Sequence, residues 1–298
     1  MSNAVEFPGH AGVVLRGELH LPDGNGPHPA VAMAHGFSAV IDMALDAYAA
    51  AIAAAGVAVL MYDHRGFGRS DGTPRQEINP WAQARDFRRA LDWLERRDDV
   101  DPGRLGLWGS SFSGGQVLVV GAVDDRVRAV VANVPFAGLG ATYPDPDDVF
   151  ARMRGQLLDE SGSGFADLAG EALGPMAVVR EPGSTAEPFL AQEESAEWFL
   201  SYRDTTPWQN EVTLKHAFGT DPPFDPALGA VHLETTPVLF VLATEDRVAP
   251  VELAEAVFDS IRGPKQRLDI AGHHFVPYRG DALDQAAAAA ARFFADRL

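Results

Sequence analysis

Residues 109–113 form the stretch whose residue types and spacing are best suited to covalent chemistry. They read Gly-Ser-Ser-Phe-Ser, so Ser111 has a small residue two positions away on each side, Gly109 and Ser113. Small neighbours let the backbone turn sharply, and a sharp turn can hold the central hydroxyl clear of the protein as a nucleophile. The same pattern also occurs in ordinary turns. It predicts catalysis only if an acid and a histidine follow along the chain.

The segments on either side of this turn are typical of a strand and a helix. Residues 104–108 are a short apolar run, and residues 116–120 place apolar side chains where a helix can bury one side. In a strand–turn–helix unit, the first N–H of the helix points at the substrate and can stabilise a developing oxyanion. We therefore expect Ser111 to be the nucleophile and the N–H of Phe112 to be one oxyanion donor.

An acid and a histidine do follow, each just after a predicted strand. Asp246 is positioned to orient a histidine, and the adjacent Glu245 is a competing acid. The acid could instead serve only as a helix N-terminal charge. The last predicted strand leads to two consecutive histidines, His273 and His274, whose side chains cannot point the same way. We favour Asp246 and His274, and the choice between the two histidines stays open.

A second oxyanion donor is expected from the loop that follows an early predicted strand. This loop reads His35-Gly36-Phe37, and the N–H of Phe37 can pair with that of Phe112. We expect His35 to organise the loop by hydrogen bonding. The turn at residues 63–70 is interpreted as a structural turn, and no chemistry is assigned to it.

Short apolar segments alternate with helical segments along most of the chain. An opening hairpin is predicted at 5–7 and 13–21. The further predicted strands are 30–34, 57–62, 104–108, 127–134, 238–242 and 266–270, and the helices are 43–55, 80–97, 251–262 and 282–297. This order predicts an α/β fold with a mostly parallel central sheet and helices on both faces. Ligands of such sheets bind at the carboxyl ends of the strands, where the candidate residues lie.

The alternation is interrupted between residues 136 and 236, where no clear strand is predicted. A structureless loop of that length is improbable in a compact domain. We predict that residues 1–135 and 237–298 form the core and that 136–236 is a mainly helical cap over the active-site edge. The alternative is a set of extra surface helices. The residues of the segment expected to contact an apolar substrate are Trp198, Phe199, Tyr202 and Trp208.

Composition excludes several classes of function. The 298 residues have a net charge of −18, from 24 basic and 42 acidic side chains, which argues against nucleic acid and anionic membranes as partners. No apolar run is long enough for a membrane span, and the N-terminus does not resemble a secretion signal, so we expect a cytoplasmic protein. Cysteine is absent, and the nine histidines show no metal-binding spacing. We therefore expect no metal and no cofactor.

The motifs together resemble those of the α/β-hydrolase superfamily, over nearly the whole chain. They are HGF at 35–37, YDHRGFGRSDG at 62–72, WGSSFSGG at 108–115, TEDRVAP at 244–250 and GHHFVPY at 272–278. A narrower resemblance is to the esterase-like subgroup that includes fungal polyketide transferases and bacterial relatives. It is carried by PRQE at 74–77, SFSGG at 111–115, WQNEVT at 208–213 and HFVPY at 274–278. This chain departs from the subgroup in having His273 where the subgroup has glycine.

The resemblance implies a serine hydrolase with a Ser111–His274–Asp246 triad and an acyl-enzyme intermediate. The expected substrate is a carboxylic ester or thioester of a largely apolar small molecule. One alternative is an acyltransferase or cyclase of polyketide-like metabolism that uses the same triad. Less favoured alternatives are a peptidase-like amidase and a non-catalytic binding protein. The sequence leaves the natural substrate and the oligomeric state open, a homodimer included.

Overall fold

The computed structural model describes residues 2–159 and 172–298, and a mostly parallel sheet lies at its centre. The eight strands that this part of the chain contributes to the sheet are β1 (Ser2–Pro8), β2 (Val14–His20), β3 (His28–Ala34), β4 (Ala58–Tyr62), β6 (Val100–Ser110), β7 (Val127–Asn133), β10 (Val238–Ala243) and β11 (Lys265–Ile270). Their order is β1-β2-β4-β3-β6-β7-β10-β11. β1 and β2 form the predicted hairpin and run antiparallel to their neighbours, whereas the strands from β4 to β11 are parallel. The predicted fold class is confirmed.

Helices cover both faces of this sheet. The core helices are α1 (Leu45–Ala54), α2 (Pro80–Glu95), α3 (Phe112–Val123), α7 (Val251–Ser260) and α8 (Gly280–Arg297). Each differs by only a few residues at its ends from the helix predicted there. α2 shows a clear start signal, since the Asn79 side chain accepts hydrogen bonds from the N–H groups of Trp81 and Ala82, and Pro80 takes the first helical position.

The side chains of each strand alternate between the two faces of the sheet, and this alternation divides the core into two apolar clusters. In β3, Ala30 and Ala32 pack with α2 and α3 on one face, whereas Val31 and Met33 pack with α1 and α8 on the other. Successive side chains of a strand point to opposite faces, and a parallel sheet covered on both sides therefore needs apolar residues at every position. This requirement accounts for the continuous apolar runs seen in the sequence.

The parallel strands end at one edge of the sheet, and this edge positions the candidate residues. In the register of the sheet, Ala34 lies beside Gly109, and Ser110 lies beside Asn133. The loops after β3, β6, β10 and β11 therefore emerge next to one another. A third cluster of buried apolar residues lies at this edge and includes Phe37, Trp198, Phe199 and Phe275.

The segment predicted as a cap contains short strands as well as helices. Its elements are α4 (Pro146–Leu158), β8 (Leu173–Met176), α5 (Glu193–Leu200), β9 (Val212–Leu214) and α6 (Pro226–Val231). The expectation of no strand is wrong for β8 and β9, which form a small sheet with β5 (Glu77–Ile78) from the core. Residues 160–171 of the segment lie outside the described residues, and its division from the core stays a prediction.

The pairing of β9 with β5 joins this segment to the core. Thr213 N–H donates to Gln76 O at 2.9 Å, and Lys215 N–H donates to Ile78 O at 2.8 Å. Trp208 Nε1 reaches Ser38 Oγ at 3.5 Å. The segment is therefore anchored close to the loop that follows β3. Within the described ranges, none of the helices combines the length and the hydropathy needed to cross a bilayer.

We predict that Asn210 is needed to hold the inserted segment together. Its Oδ1 accepts from Val179 N–H and its Nδ2 donates to Val179 O, both at 2.9 Å. Asn210→Ala removes both bonds, and thermal unfolding should show a loss of about 1–3 kcal/mol. Gln209→Ala, at an exposed neighbouring position, should cost less than about 0.5 kcal/mol. Equal stability of the two variants would contradict this role.

Candidate active site

The turn between β6 and α3 holds Ser111 in a strained conformation. Its backbone has φ 53° and ψ −116°, a combination that residues other than glycine rarely adopt. A Cβ atom at Gly109 would lie 2.2 Å from Ser113 O, and one at Gly36 would lie 2.7 Å from Ser111 Cβ. Glycine is therefore required at both positions. Ser111 N–H donates to Asn133 O at 2.8 Å, which ties the turn to the end of β7.

Ser111, His274 and Asp246 form one continuous chain of hydrogen bonds. Ser111 Oγ lies 3.0 Å from His274 Nε2, and His274 Nδ1 lies 2.6 Å from Asp246 Oδ2. The carboxylate can only accept, so Nδ1 carries the proton and Nε2 is free to accept from the serine hydroxyl. The histidine and the aspartate are buried, at 2% and 4% exposure. This arrangement can remove a proton from Ser111 and stabilise the imidazolium that results.

Backbone N–H donors hold the side chain of Asp246 in place. Its Oδ1 accepts hydrogen bonds from the N–H groups of Val248 and Ala249, both at 2.9 Å. Oδ2 is thereby directed at the imidazole. The competing acid, Glu245, is exposed, and its N–H donates to Gly272 O.

The structure places the two neighbouring histidines in different surroundings. His274 is buried beside Ser111, whereas His273 is exposed and its Nδ1 accepts from Phe275 N–H at 3.2 Å. Gly272 has φ +119°, and a Cβ there would lie 2.8 Å from Val276 Cγ2. This turn gives the two side chains opposite directions. Of the two histidines, His274 is the one brought to Ser111.

The two residues expected to supply oxyanion donors line the same cavity as Ser111. Phe112 is the first residue of α3, where backbone N–H groups have no intrahelical acceptor. Phe37 follows Gly36, whose close contact with Ser111 brings this backbone next to that serine. The two phenyl rings meet edge to face, with centroids 6.0 Å apart. The arrangement suits stabilisation of an oxyanion formed next to Ser111 Oγ.

The loop that carries His274 is held by two tyrosines for which the sequence analysis predicts no role. Tyr278 hydrogen-bonds Ser110 Oγ, one residue before Ser111. Tyr48 on α1 donates to Pro277 O at 2.7 Å. Burial raises the pKa of both phenols, so both stay protonated at neutral pH. The roles of Tyr48 and Tyr278 follow from their positions and hydrogen-bond partners in the fold. They could not be inferred from residue type alone.

A buried polar network packs against the turn between β6 and α3. His64 Nε2 lies 2.8 Å from Ser113 Oγ, which donates to Gln116 Oε1 at 3.0 Å. Since the hydroxyl proton is used in that bond, His64 donates from Nε2. His35 Nε2 accepts from His64 N–H at 3.2 Å, in the loop-organising role expected for it. Burial lowers the pKa of His35 to about 4. Burial also lowers the pKa of His64 well below its usual range, so both rings are neutral.

An apolar cavity of about 220 Å³ opens beside Ser111 and His274. Trp198 and Phe199 are among its lining residues. Tyr202 and Trp208 are not among its lining residues, and the substrate contacts expected of all four side chains stay a prediction. These two residues lie behind the side chains that line the cavity: Tyr202 packs on Trp198, and Trp208 packs on Phe199. Three exposed apolar side chains also belong to the cavity lining, namely Leu139, Phe189 and Phe218.

One group of side chains in the described part of the chain has the spacing of metal ligands. It consists of Glu18, His20 and Asp46, whose ligand atoms lie within 4.8 Å of one another. Arg69 pairs with Glu18 at 3.0 Å. None of the three is a member of the hydrogen-bonded chain at Ser111.

Known proteins are similar to this chain in sequence and in fold. A family model described as X-Pro dipeptidyl-peptidase (S15 family) matches residues 11–275. Thiohydrolase aneE of Aspergillus aculeatus is 30% identical, with 99% of this chain and 93% of that protein covered. Acyltransferase drtE of Aspergillus calidoustus is 29% identical, with coverage of 88% and 83%.

A solved structure extends this similarity to the fold. The alpha/beta hydrolase GrgF from Penicillium sp. sh18 superposes with a TM-score of 0.74 at 24% identity, and 100% of this chain and 99% of that chain are covered. Together with the family match over most of the chain, these findings identify the protein as a member of the S15 peptidase family, within the α/β-hydrolase serine hydrolases.

Proposed function

We propose that this hydrolase cleaves carboxylic esters or thioesters of largely apolar small molecules through an acyl-enzyme on Ser111. The observation that carries the proposal is the continuous hydrogen-bonded chain from Ser111 through His274 to Asp246, opening onto an apolar cavity. The relatives named as a thiohydrolase and an acyltransferase support acyl chemistry of this kind.

The proposed reaction has two halves. In the first, His274 Nε2 takes the Ser111 proton while Oγ attacks the carbonyl carbon, and the N–H groups of Phe37 and Phe112 stabilise the oxyanion. His274 then gives the proton to the leaving oxygen or sulfur, and the acyl-enzyme remains. In the second half, His274 takes a proton from water, which attacks the same carbon. The bond from that carbon to Ser111 Oγ then breaks, His274 returns the proton to Oγ, and the acid is released. Asp246 stabilises the imidazolium in both halves.

The cavity lining favours a neutral substrate. None of its described lining residues is Lys, Arg, Asp or Glu. No cationic side chain there can pair with a phosphate, and the net charge of −18 disfavours a polyanionic acyl donor. A simple ester or thioester fits this cavity better. The same lining holds no carboxylate for the N-terminal ammonium of a dipeptide, which makes peptidase activity the less favoured reaction.

Acyl transfer is the second candidate, and the exposed apolar side chains at the cavity favour it. Leu139 and Phe218 are 65% and 36% exposed. A bound apolar acceptor that covers them would exclude water from the acyl-enzyme. Product analysis with and without a competing alcohol separates the two reactions, because hydrolysis gives only the acid whereas transfer gives a new ester.

The proposal is tested by labelling and by a substrate screen. A fluorophosphonate probe should label the protein once per chain, and p-nitrophenyl esters and thioesters of graded acyl length should be turned over. Ala-Pro-p-nitroanilide is the matched amide, and its kcat/KM should be at least about 100-fold lower. Absence of labelling together with absence of turnover would contradict the proposal and favour a binding protein. A preference for the anilide would favour a peptidase.

We predict that Ser111 is far more important for turnover than Ser113. Ser111→Ala should lower kcat about 10⁴-fold, because only binding and the oxyanion donors then remain. Ser113→Ala should mainly lower stability, by about 1–3 kcal/mol, because it leaves His64 Nε2 without its buried partner. Ester kinetics and thermal unfolding on both variants provide the measurement. The reverse ranking of the two kcat values would mean that the turn has been misinterpreted.

We predict that His274 is the base. His274→Ala should reduce kcat about as much as Ser111→Ala, because the members of a triad act as a unit. His273→Ala is the matched control one residue away, and it should keep kcat within about tenfold. A larger loss in the His273 variant, with both proteins folded by circular dichroism, would transfer the role to His273.

We predict that Phe199 shapes the chain-length preference. Phe199→Ala should change the ratio of kcat/KM for long and short acyl esters about tenfold or more, since apolar contacts contribute about 1–3 kcal/mol per methylene-sized change. Turnover of p-nitrophenyl acetate should change less. Tyr202→Ala, one layer behind the cavity wall, is the control. If both variants keep the parent profile, another part of the chain sets the preference.

A further inference from the structure

A second chamber of about 210 Å³ borders the cavity beside Ser111 and His274. The two spaces share five lining residues, namely Phe112, Phe136, Leu139, Ala217 and Phe218. Phe112 directly follows the nucleophile, and its ring stacks near that of Phe136 with centroids 5.9 Å apart. Because Phe112 lines both spaces, the second chamber lies beside the residue that follows Ser111.

The second chamber differs from the first in having a polar wall. Gln116, Tyr143, Thr220 and Asp225 line it and do not line the first cavity. Tyr143 donates to Asp225 Oδ2 at 2.8 Å. Burial, together with the Asp225 carboxylate, raises the pKa of Tyr143, so the phenol remains a donor.

Asp225 is a buried acceptor held in a fixed orientation. Its side chain is 5% exposed, and its Oδ1 accepts from Ala227 N–H at 2.9 Å at the start of α6. Gly138 has φ +102°, and a Cβ there would lie 2.5 Å from Asp225 Oδ1, so glycine leaves room for the carboxylate. A carboxylate has about four acceptor positions, and the bonds to Tyr143 and Ala227 use two of them. The carboxylate can therefore accept a further hydrogen bond from a ligand.

The position of His274 decides which part of a substrate enters this chamber. His274 must reach the leaving oxygen or sulfur to protonate it, and it lines the first cavity but not the second. The leaving group therefore lies in the first cavity. The second chamber is lined by Phe112 and not by His274, so it is available to the acyl substituent of the carbonyl carbon.

We infer that the second chamber binds the distal end of the acyl group and that this end carries a hydroxyl that donates to Asp225. The inference rests on the proposed function, because it assumes an acyl-enzyme on Ser111. A hydroxyl suits the site better than an ammonium, which would lose its hydration among the rings of Phe136, Phe218 and Phe224. An unsubstituted alkyl end would leave the buried acceptor without compensation for its lost water. The preferred acyl group is therefore a hydroxyacyl chain.

The first test compares p-nitrophenyl esters in the unmodified protein. All share one leaving group, and acyl chains of graded length carry a terminal methyl, hydroxyl or ammonium group. At the length that reaches Asp225, the hydroxyacyl ester should have a kcat/KM at least tenfold above that of the alkyl ester of equal length. Asp225→Asn should reduce this ratio to within about threefold of one. Equal rates for the methyl and hydroxyl series at every length, or a preference for the ammonium series, would overturn the inference.

The second test fills the chamber. Ala141 lines the second chamber only and is exposed, so Ala141→Trp reduces the chamber volume without disturbing a buried position. It should lower kcat/KM at least tenfold for the long hydroxyacyl ester and much less for p-nitrophenyl acetate. Thr142→Trp, at an exposed neighbour that lines neither space, is the matched control and should leave both rates within about threefold.

The outcomes separate failure of the inference from failure of the proposed function. If Ala141→Trp instead discriminates among acetate esters of different alcohols, the chamber holds the leaving group and the inference is overturned. If it matches the control for every ester, the chamber binds no part of the substrate. In both cases fluorophosphonate labelling and acetate turnover would persist. Loss of labelling in the unmodified protein would refute the proposed function itself.

Discussion

The strained backbone of Ser111 is the constraint on which the rest of the site depends. A non-glycine residue at φ 53° and ψ −116° costs of order 1–3 kcal/mol and persists only when its surroundings hold it. Here Ser111 N–H donates to Asn133 O, and Phe136 N–H donates to Ser111 O, both at 2.8 Å. Because Gly36 and Gly109 have no Cβ atom, the backbone at Gly36 can approach Ser111 and the backbone at Gly109 can approach Ser113. The strained turn exposes the hydroxyl and directs the start of α3 at the same point.

The core and the inserted segment make different contributions to the site. The loops at the strand ends of the core hold the residues of the proposed triad through buried, directional hydrogen bonds, such as those from Val248 and Ala249 to Asp246. The inserted segment contributes Trp198 and Phe199, which make apolar contacts in the cavity. Apolar contacts are non-directional, and they tolerate substitution better than hydrogen bonds that fix a proton position. Substrate preference can therefore change with the segment while the proposed chemistry stays with the core.

Much of this arrangement could be predicted because it follows local rules. Apolar runs predict parallel strands, and the small residues around Ser111 predict a sharp turn. The choice between His273 and His274 could not be made, because it depends on the turn at Gly272 and on the burial of one ring. β5, β8 and β9 were missed because strands of two to four residues have no periodicity to detect. The second chamber was missed because its polar wall combines Gln116, Tyr143 and Asp225, which are far apart in sequence.

The central claim is that catalysis proceeds through an acyl-enzyme on Ser111, and trapping that intermediate tests it most directly. The protein is mixed with a p-nitrophenyl ester, quenched in acid within the first turnover, digested and analysed by tandem mass spectrometry. The account predicts a burst of about one p-nitrophenol per chain and an acyl adduct on Ser111, both absent in Ser111→Ala. Turnover with no adduct, or an adduct on Ser110 or Ser113 that survives in Ser111→Ala, would contradict it.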